Sequence, residues 1–260
     1  MKPTPSLRPP QPFSLVVGPC AVESYETFSS VARMAKKWGA TALRGGIFKM
    51  RARPDTFQGM GPEALDIVLA CKRETGLPFI TEITDPRQID LLRPVADVFQ
   101  VGARNMHNTE LLRELGRAQV PVLLKRGLSA YLDELLHASE YIRREGQSKV
   151  ILCERGTRGF ERATRNTLDL AAVPYLKARS GLEVWVDPSH GTGVRALVPA
   201  MCWAAAAAGA DGLLIEVHPT PEQSISDADQ SLGFPETEEM LTRLHRVLAA
   251  MDRTLERSPS

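Results

Sequence analysis

A chain of 260 residues that is 43% hydrophobic and carries a formal net charge of +1 can bury a sizeable core in one domain, since α/β barrels of about 250 residues fold as a unit. The near-neutral balance excludes a generally disordered chain and speaks against a nucleic-acid-coating or membrane-adsorbing surface. Four widely spaced cysteines, Cys20, Cys71, Cys153 and Cys202, lack zinc-ribbon spacing and read as reduced thiols of a cytoplasmic protein.

Met1 to Pro12 is proline-rich without an apolar signal core and predicts an extended or disordered lead. Leu15-Val16-Val17 predicts the first strand, ending at Gly18-Pro19-Cys20, and a helix runs to about Trp38. Ala40 to Leu43 predicts the second, ending at Arg44-Gly45-Gly46-Ile47-Phe48-Lys49; a loop through Met60 precedes a helix over 62–74. Leu77 to Ile80 is the third and Asp97 to Val101 the fourth, ending at Gly102-Ala103-Arg104-Asn105. Val120 to Leu124 is the fifth, ending at Lys125-Arg126-Gly127, with a helix over 129–145. Lys149 to Leu152 is the sixth, ending at Cys153-Glu154-Arg155-Gly156.

The seventh, Val184-Trp185-Val186, stops at Asp187-Pro188 because proline has no N–H for a central ladder. Ser189-His190-Gly191-Thr192-Gly193 follows, with glycines that permit a tight turn, and then an alanine-rich helix. Gly212 to Ile215 is the eighth, ending at Glu216-Val217-His218-Pro219; a loop with Ser226-Asp227 comes next. Glu236 to Met251 predicts a last amphipathic helix, and Arg253 to Ser260 a polar tail. Eight apolar runs, most followed by a helical segment, predict a single closed (β/α)8 barrel over residues 13–252. No Gly-x-Gly-x-x-Gly follows the first strand, which weighs against a dinucleotide fold.

Such a barrel brings its strand ends to one rim. Two kinds of group collect there. Arg44, Lys49, Arg104, Lys125 and Arg155 are cations that would repel one another without an anion among them, and their heads suit phosphate and carboxylate. Cys20, His190, Glu216 and Asp227 offer one soft, one borderline and two hard donors for a divalent Mn, Fe, Co or Zn ion. Their wide separation in sequence favours a catalytic metal with an open position.

With these residues in place, the stretch from about Val16 to Leu232 resembles the short type I 3-deoxy-D-arabino-heptulosonate 7-phosphate (DAHP) synthases. The resemblance rests on Gly-Pro-Cys-Ala-Val-Glu-Ser, Leu-Arg-Gly-Gly-Ile-Phe-Lys, Gly-Ala-Arg-Asn-Met, Leu-Leu-Lys-Arg-Gly, Cys-Glu-Arg-Gly, Asp-Pro-Ser-His-Gly-Thr-Gly, Ile-Glu-Val-His-Pro and Ser-Asp-x-x-Gln-Ser-Leu. The related octulosonate 8-phosphate synthases share the barrel and the phosphoenolpyruvate chemistry. The resemblance implies a transferase at the entry to the shikimate pathway of aromatic amino acid biosynthesis, condensing phosphoenolpyruvate with erythrose 4-phosphate and releasing phosphate. It implies Cys20, His190, Glu216 and Asp227 as metal ligands. It gives phosphoenolpyruvate to Arg44, Lys49, Arg104, Lys125 and Arg155 with the N–H of Ala103, and the aldehyde to Arg51. Lys49 and His190 are the catalytic candidates, Lys49 as proton carrier; His218 could orient a ligand or a water, or be a structural hydrogen-bonding group. Relatives are commonly dimers or tetramers, so a homo-oligomer is expected.

The aldehyde loop departs from the family's Lys-Pro-Arg-Thr. It reads Lys49-Met50-Arg51-Ala52, and Arg53 adds a charge that the family pattern lacks. The same chemistry on a different phosphorylated aldehyde is therefore an open alternative. About a dozen residues precede the first strand, too few for an independent regulatory domain, so built-in feedback control by an aromatic amino acid is not expected. Two other classes stay open: a Schiff-base aldolase using Lys125 activated by Arg126, and a phospho-ligand sensor that kept only the anion site.

Overall fold

The computed structural model describes residues 12–51, 53–147 and 149–256; all but the last residue of the expected lead, and Ala52 of the aldehyde loop, lie outside them. Eight parallel strands close into one barrel in sequence order. They are β1 (Ser14–Gly18), β2 (Ala42–Arg44), β3 (Phe79–Ile83), β4 (Val98–Val101), β5 (Val122–Lys125), β6 (Val150–Glu154), β7 (Glu183–Val186) and β8 (Gly212–Glu216). The helices are α1 (Tyr25–Lys37), α2 (Ala64–Thr75), α3 (Ile89–Leu92), α4 (Thr109–Ala118), α5 (Leu132–Arg144), α6 (Ala172–Ser180), α7 (Pro188–Thr192), α8 (Val198–Ala207) and α9 (Phe234–Ala250). The (β/α)8 expectation holds.

Three strands start two residues later than the apolar runs suggest: β2 at Ala42 rather than Ala40, β3 at Phe79 rather than Leu77, and β5 at Val122 rather than Val120. The reason is packing. Ala40 and Leu77 are fully buried between helices and barrel, and Val120 packs on the same cluster, before any ladder forms. The runs therefore include residues buried by helices, and the ladders run on into polar residues such as Arg44, Glu82 and Lys125.

Two apolar layers result. The larger lies between strands and helices. The smaller fills the barrel itself with Val16, Ala42, Ile80, Val98, Leu123, Ile151, Trp185 and Leu214, one from each strand. At the far end, residues 253–256 of the expected polar tail pair with Phe13, just before β1, and 257–260 lie outside the described residues: Phe13 N–H donates to Thr254 O (2.8 Å), Glu256 N–H donates to Phe13 O (2.9 Å), and Arg253 stacks 5.2 Å from the Phe13 ring centre. All four cysteines are buried and unpaired. Among the described residues no helix is long and apolar enough to cross a membrane.

At the other end β1 and β2 approach closely beside Gly18. A Cβ there would sit 1.8 Å from the carbonyl oxygen of Arg44, which is backbone and cannot swing aside. Gly18→Ala is expected to destabilise the protein by about 1–3 kcal/mol or more through overpacking, read as a lower urea midpoint with an unchanged m-value. An unchanged midpoint would show that the two strands separate freely.

Candidate active site

Successive side chains on a strand point to opposite faces. Two residues beyond the apolar layer inside the barrel, the same inward direction therefore carries Arg44, Glu82, Gln100, Lys125, Asp187 and Glu216. Gly18 and Cys153 complete the ring without charge. Four of the six polar side chains, Arg44, Glu82, Gln100 and Lys125, line a cavity of about 280 Å³ at this end.

Four donors converge at one side of it. One atom each from Cys20, His190, Glu216 and Asp227 lies within 4.8 Å of every other. The Cys20 thiol donates to Asp227 Oδ2 (3.0 Å), and His190 Nε2 stands 3.5 Å from Glu216 Oε1 and 3.9 Å from Asp227 Oδ2. Burial pushes the Cys20 thiol up to about 12, helped by the negative charges of Glu216 and Asp227. Burial opposes ionisation of Glu216 and Asp227 too, yet His190 and the neighbouring arginines hold both below the ordinary carboxylate range. Two carboxylates, an imidazole and a sulfur crowded this closely form a donor set that fits a divalent transition ion.

The orientation of His190 comes from its own helix. Asp187 caps α7: its Oδ1 accepts from the His190 N–H (2.9 Å), and its Oδ2 lies 2.7 Å from His190 Nδ1. That ring contact is within ion-pair range, but its angle falls short of a hydrogen bond. It turns Nε2 toward the other donors, as a carboxylate behind a ligating histidine does. The same Oδ2 accepts from Lys125 Nζ (2.5 Å). Burial would raise the Asp187 pKa, but His190 and Lys125 together hold it well below the usual value.

Glu216 is held at both oxygens. Oε1 accepts from Arg44 (2.8 Å) and Oε2 from the amide of buried Gln230 (2.6 Å). Gln230 in turn accepts from Arg165 (2.9 Å), which also reaches Asp227 Oδ1 (3.3 Å). Asp227 itself sits in the left-handed region (φ 55°), uncommon for a residue other than glycine, and Arg165 helps to hold its side chain there. His218 faces Glu23 at 3.4 Å, and Glu23 accepts from Ser224 and Ile225 (both 3.1 Å). Glu23 thus fastens the loop that carries Asp227, while His218, whose Nε2 makes no hydrogen bond among the described residues, accepts at Nδ1 from the Thr220 N–H (3.1 Å).

The cavity walls carry eight arginine or lysine side chains against two carboxylates, Glu82 and Asp227. This surplus gives the cavity a positive field that attracts anions. Arg155 is buried and, among the described residues, donates only to the Gly156 carbonyl at 3.3 Å; burial pulls its pKa down. Lys49 Nζ lies 3.3 Å from Cys20 O and 3.9 Å from Glu82. Burial works against its charge, but Cys20 and Glu82 outweigh it and its pKa is raised.

Of the candidate site residues read from the sequence, Arg44, Lys49, Arg51, Ala103, Arg104, Lys125, Arg155, His190 and Asp227 border the one cavity, and Cys20 and Glu216 join His190 and Asp227 in the donor cluster. Arg44 differs in its partner: it is tied to Glu216 and to the carbonyl of Pro19 (2.6 Å). Arg126, expected beside Lys125 as an activator, turns away to Glu154 (2.9 Å), Asp169 (3.1 Å) and the Ala130 carbonyl (3.0 Å). Sequence reading passed over Glu82, Gln100 and Asp187, which the two-residue strand period marks, and Arg158, Arg165 and Gln230, which lie on loops where no period applies.

Residues 10–252 match the DAHP synthetase I family. The chain is 41% identical to the phospho-2-dehydro-3-deoxyheptonate aldolase of Thermotoga maritima, over 92% of this chain and 71% of that protein. It is 28% identical to the 2-dehydro-3-deoxyphosphooctonate aldolase of Desulfotalea psychrophila, over 93% of this chain and 92% of that one. The crystal structure of the Thermotoga maritima aldolase, also named DAHP synthase, superposes with a TM-score of 0.91 at 40% identity, covering 94% of this chain and 72% of that one. Shared barrel, shared motifs and a match across nearly the whole described chain lead to one conclusion: this protein belongs to the DAHP synthetase I family.

Proposed function

We infer that the chain condenses phosphoenolpyruvate with erythrose 4-phosphate to give 3-deoxy-D-arabino-heptulosonate 7-phosphate and phosphate, the first step toward the aromatic amino acids. One observation carries this: a four-donor cluster and a cation-lined cavity share His190 and Asp227 as a common wall. An aldehyde beside the donor cluster and an anionic enol phosphate in the cavity can then meet there.

Cys20, His190, Glu216 and Asp227 would hold the ion, which could be Mn, Fe, Co or Zn. When bound it supplies Lewis acidity toward an aldehyde oxygen. Arg104, Lys125 and Arg155 bind the phosphate and carboxylate of phosphoenolpyruvate, with Ala103 N–H assisting and Arg44 fixing Glu216 behind them. Arg51 receives the aldehyde. The methylene carbon of phosphoenolpyruvate bonds to the aldehyde carbon, and the aldehyde oxygen takes a proton. Lys49, close to both Cys20 and Glu82, is placed to carry that proton. Water then adds at the former enol carbon and phosphate departs. Lys125 is bonded to the carboxylate of Asp187, the opposite of the cationic neighbour that a Schiff-base mechanism calls for. A homo-oligomer, dimer or tetramer, in the cytoplasm completes the reading.

The test is phosphate release by metal-loaded protein. Release is expected only with both phosphoenolpyruvate and erythrose 4-phosphate; no release with this or any phosphorylated aldehyde would refute the reading. A second expectation concerns Gln230, whose amide fixes Glu216. Partners that orient metal ligands are worth about 10–100-fold in metal affinity. Gln230→Leu should weaken divalent-ion binding by about that factor in a calorimetric titration, and an unchanged affinity would make Gln230 a packing residue only.

A further inference from the structure

Arg155 has no neighbouring side chain to aim it. Among the described residues its guanidinium donates only to the carbonyl of the next residue, Gly156, so its direction is set by the backbone at the end of β6. That backbone turns at once. Gly156 has a φ of 82°, in the left-handed region, and its N–H donates to Glu154 Oε1 at 2.6 Å. Glu154 is the last residue of β6 and is fully buried. Cys153 belongs to the layer inside the barrel, so Glu154 points to the outer side of the wall.

The other oxygen of Glu154, Oε2, accepts from Arg126 Nη1 at 2.9 Å. The same nitrogen donates to Asp169 Oδ2 at 3.1 Å, and Arg126 Nε donates to the Ala130 carbonyl at 3.0 Å. Asp169 closes the circle. Its N–H reaches Glu154 Oε1 at 3.4 Å, and its Oδ1 accepts from the Ala172 N–H at the start of α6 at 3.2 Å. Two adjacent strands thus end in matched pairs. Lys125 of β5 and Arg155 after β6 border the cavity, while their neighbours Arg126 and Glu154 do not line it and bond to each other instead. Burial pushes the Glu154 carboxyl above its ordinary range, against the pull of Arg126. Without Arg126 this buried carboxylate would lose the cation bonded to it.

We propose that Arg126 and Glu154 are positioning residues for phosphoenolpyruvate: the pair holds the Gly156 N–H, and through it the aim of Arg155, without touching the ligand. The proposal rests on the condensation reading above, which gives Arg155 to phosphoenolpyruvate. Misplacement of a binding group by about 1 Å is enough to be felt, even when the substituted residue is remote from the chemistry.

Calorimetric titration of the metal-loaded protein with phosphoenolpyruvate tests it. Arg126→Met should raise the Kd about tenfold, the usual loss for one charge-assisted contact. Affinity for the divalent ion should stay unchanged, and Arg126→Lys should recover part of the phosphoenolpyruvate affinity. Arg155→Ala should cost about the same as Arg126→Met, and combining the two should add little, because both remove one contact. The double variant Arg126→Met, Glu154→Leu strands no buried charge and should fold where Arg126→Met does not; its phosphoenolpyruvate binding should be as weak. An unaltered Kd in Arg126→Met overturns the positioning role, as does an equal loss of ion affinity. So does a full multiplication of the Arg126→Met and Arg155→Ala effects, or a double variant with normal phosphoenolpyruvate binding. In each of these cases the parent reading stands. Failure of the unsubstituted protein to bind phosphoenolpyruvate would overturn the parent reading and this one together.

Discussion

Cys20→Ala is expected to lose both its divalent ion and its activity while staying folded. The thiol is the one soft donor of the set, and its Sγ contacts Asp227 Oδ2 at 3.0 Å and the hydroxyl of Ser226 at 2.9 Å. Removing it leaves an imidazole and two carboxylates without their sulfur. Chelation of the unsubstituted protein should have the same effect, reversed by adding divalent ion. Metal binding also requires the thiol proton to leave. Burial pushes Cys20 up to about 12, so near neutral pH the metal-free thiol is protonated. Each bound ion then releases a proton, and apparent affinity should rise about tenfold per pH unit around neutrality. The check is metal content by elemental analysis beside phosphate release. A Cys20→Ala protein that is fully active and free of metal would remove the donor cluster from the mechanism.

Asp187→Ala should have the largest effect on folding. Asp187 is 1% exposed and joins Lys125, His190 and the first turn of α7. Its removal leaves the buried Lys125 without a counter-charge, and breaking a buried pair from one side costs about 3–5 kcal/mol. Chemical denaturation should show that loss. Lys125→Met in the same background should recover part of it, because the stranded charge goes as well. A midpoint shift worth less than about 1 kcal/mol would mean that water reaches Lys125 and solvates it. Activity should fall as well, since Asp187 turns Nε2 of His190 toward the other donors.

Much of this site is legible along the chain. The alternation of apolar runs and helices implies a barrel, and a barrel collects its strand ends at one rim. Cys20, Lys49, Arg104, Arg155 and His190 each follow such a run closely enough to be found without knowing its partners. Glu82, Gln100 and Asp187 were missed for a definite reason. Strands buried on both faces read as continuous apolar stretches, so the run alone does not say which residues face inward. Once Ile80, Val98 and Trp185 are known to face the barrel interior, the same period brings Glu82, Gln100 and Asp187 into the site.

The pairings depend on closure. Arg44 and Glu216 lie on β2 and β8, which flank β1 only because the barrel joins its first and last strands. Gln230 and Arg165 meet because two loops fold over the same rim. Composition, strand count and the order of the motifs belong to the sequence, since they follow from local polarity and turn chemistry. Which cation is already paired and which is left for an anion were settled by the tertiary structure, because charges separated by scores of residues act on one another only when the closed barrel removes the water between them.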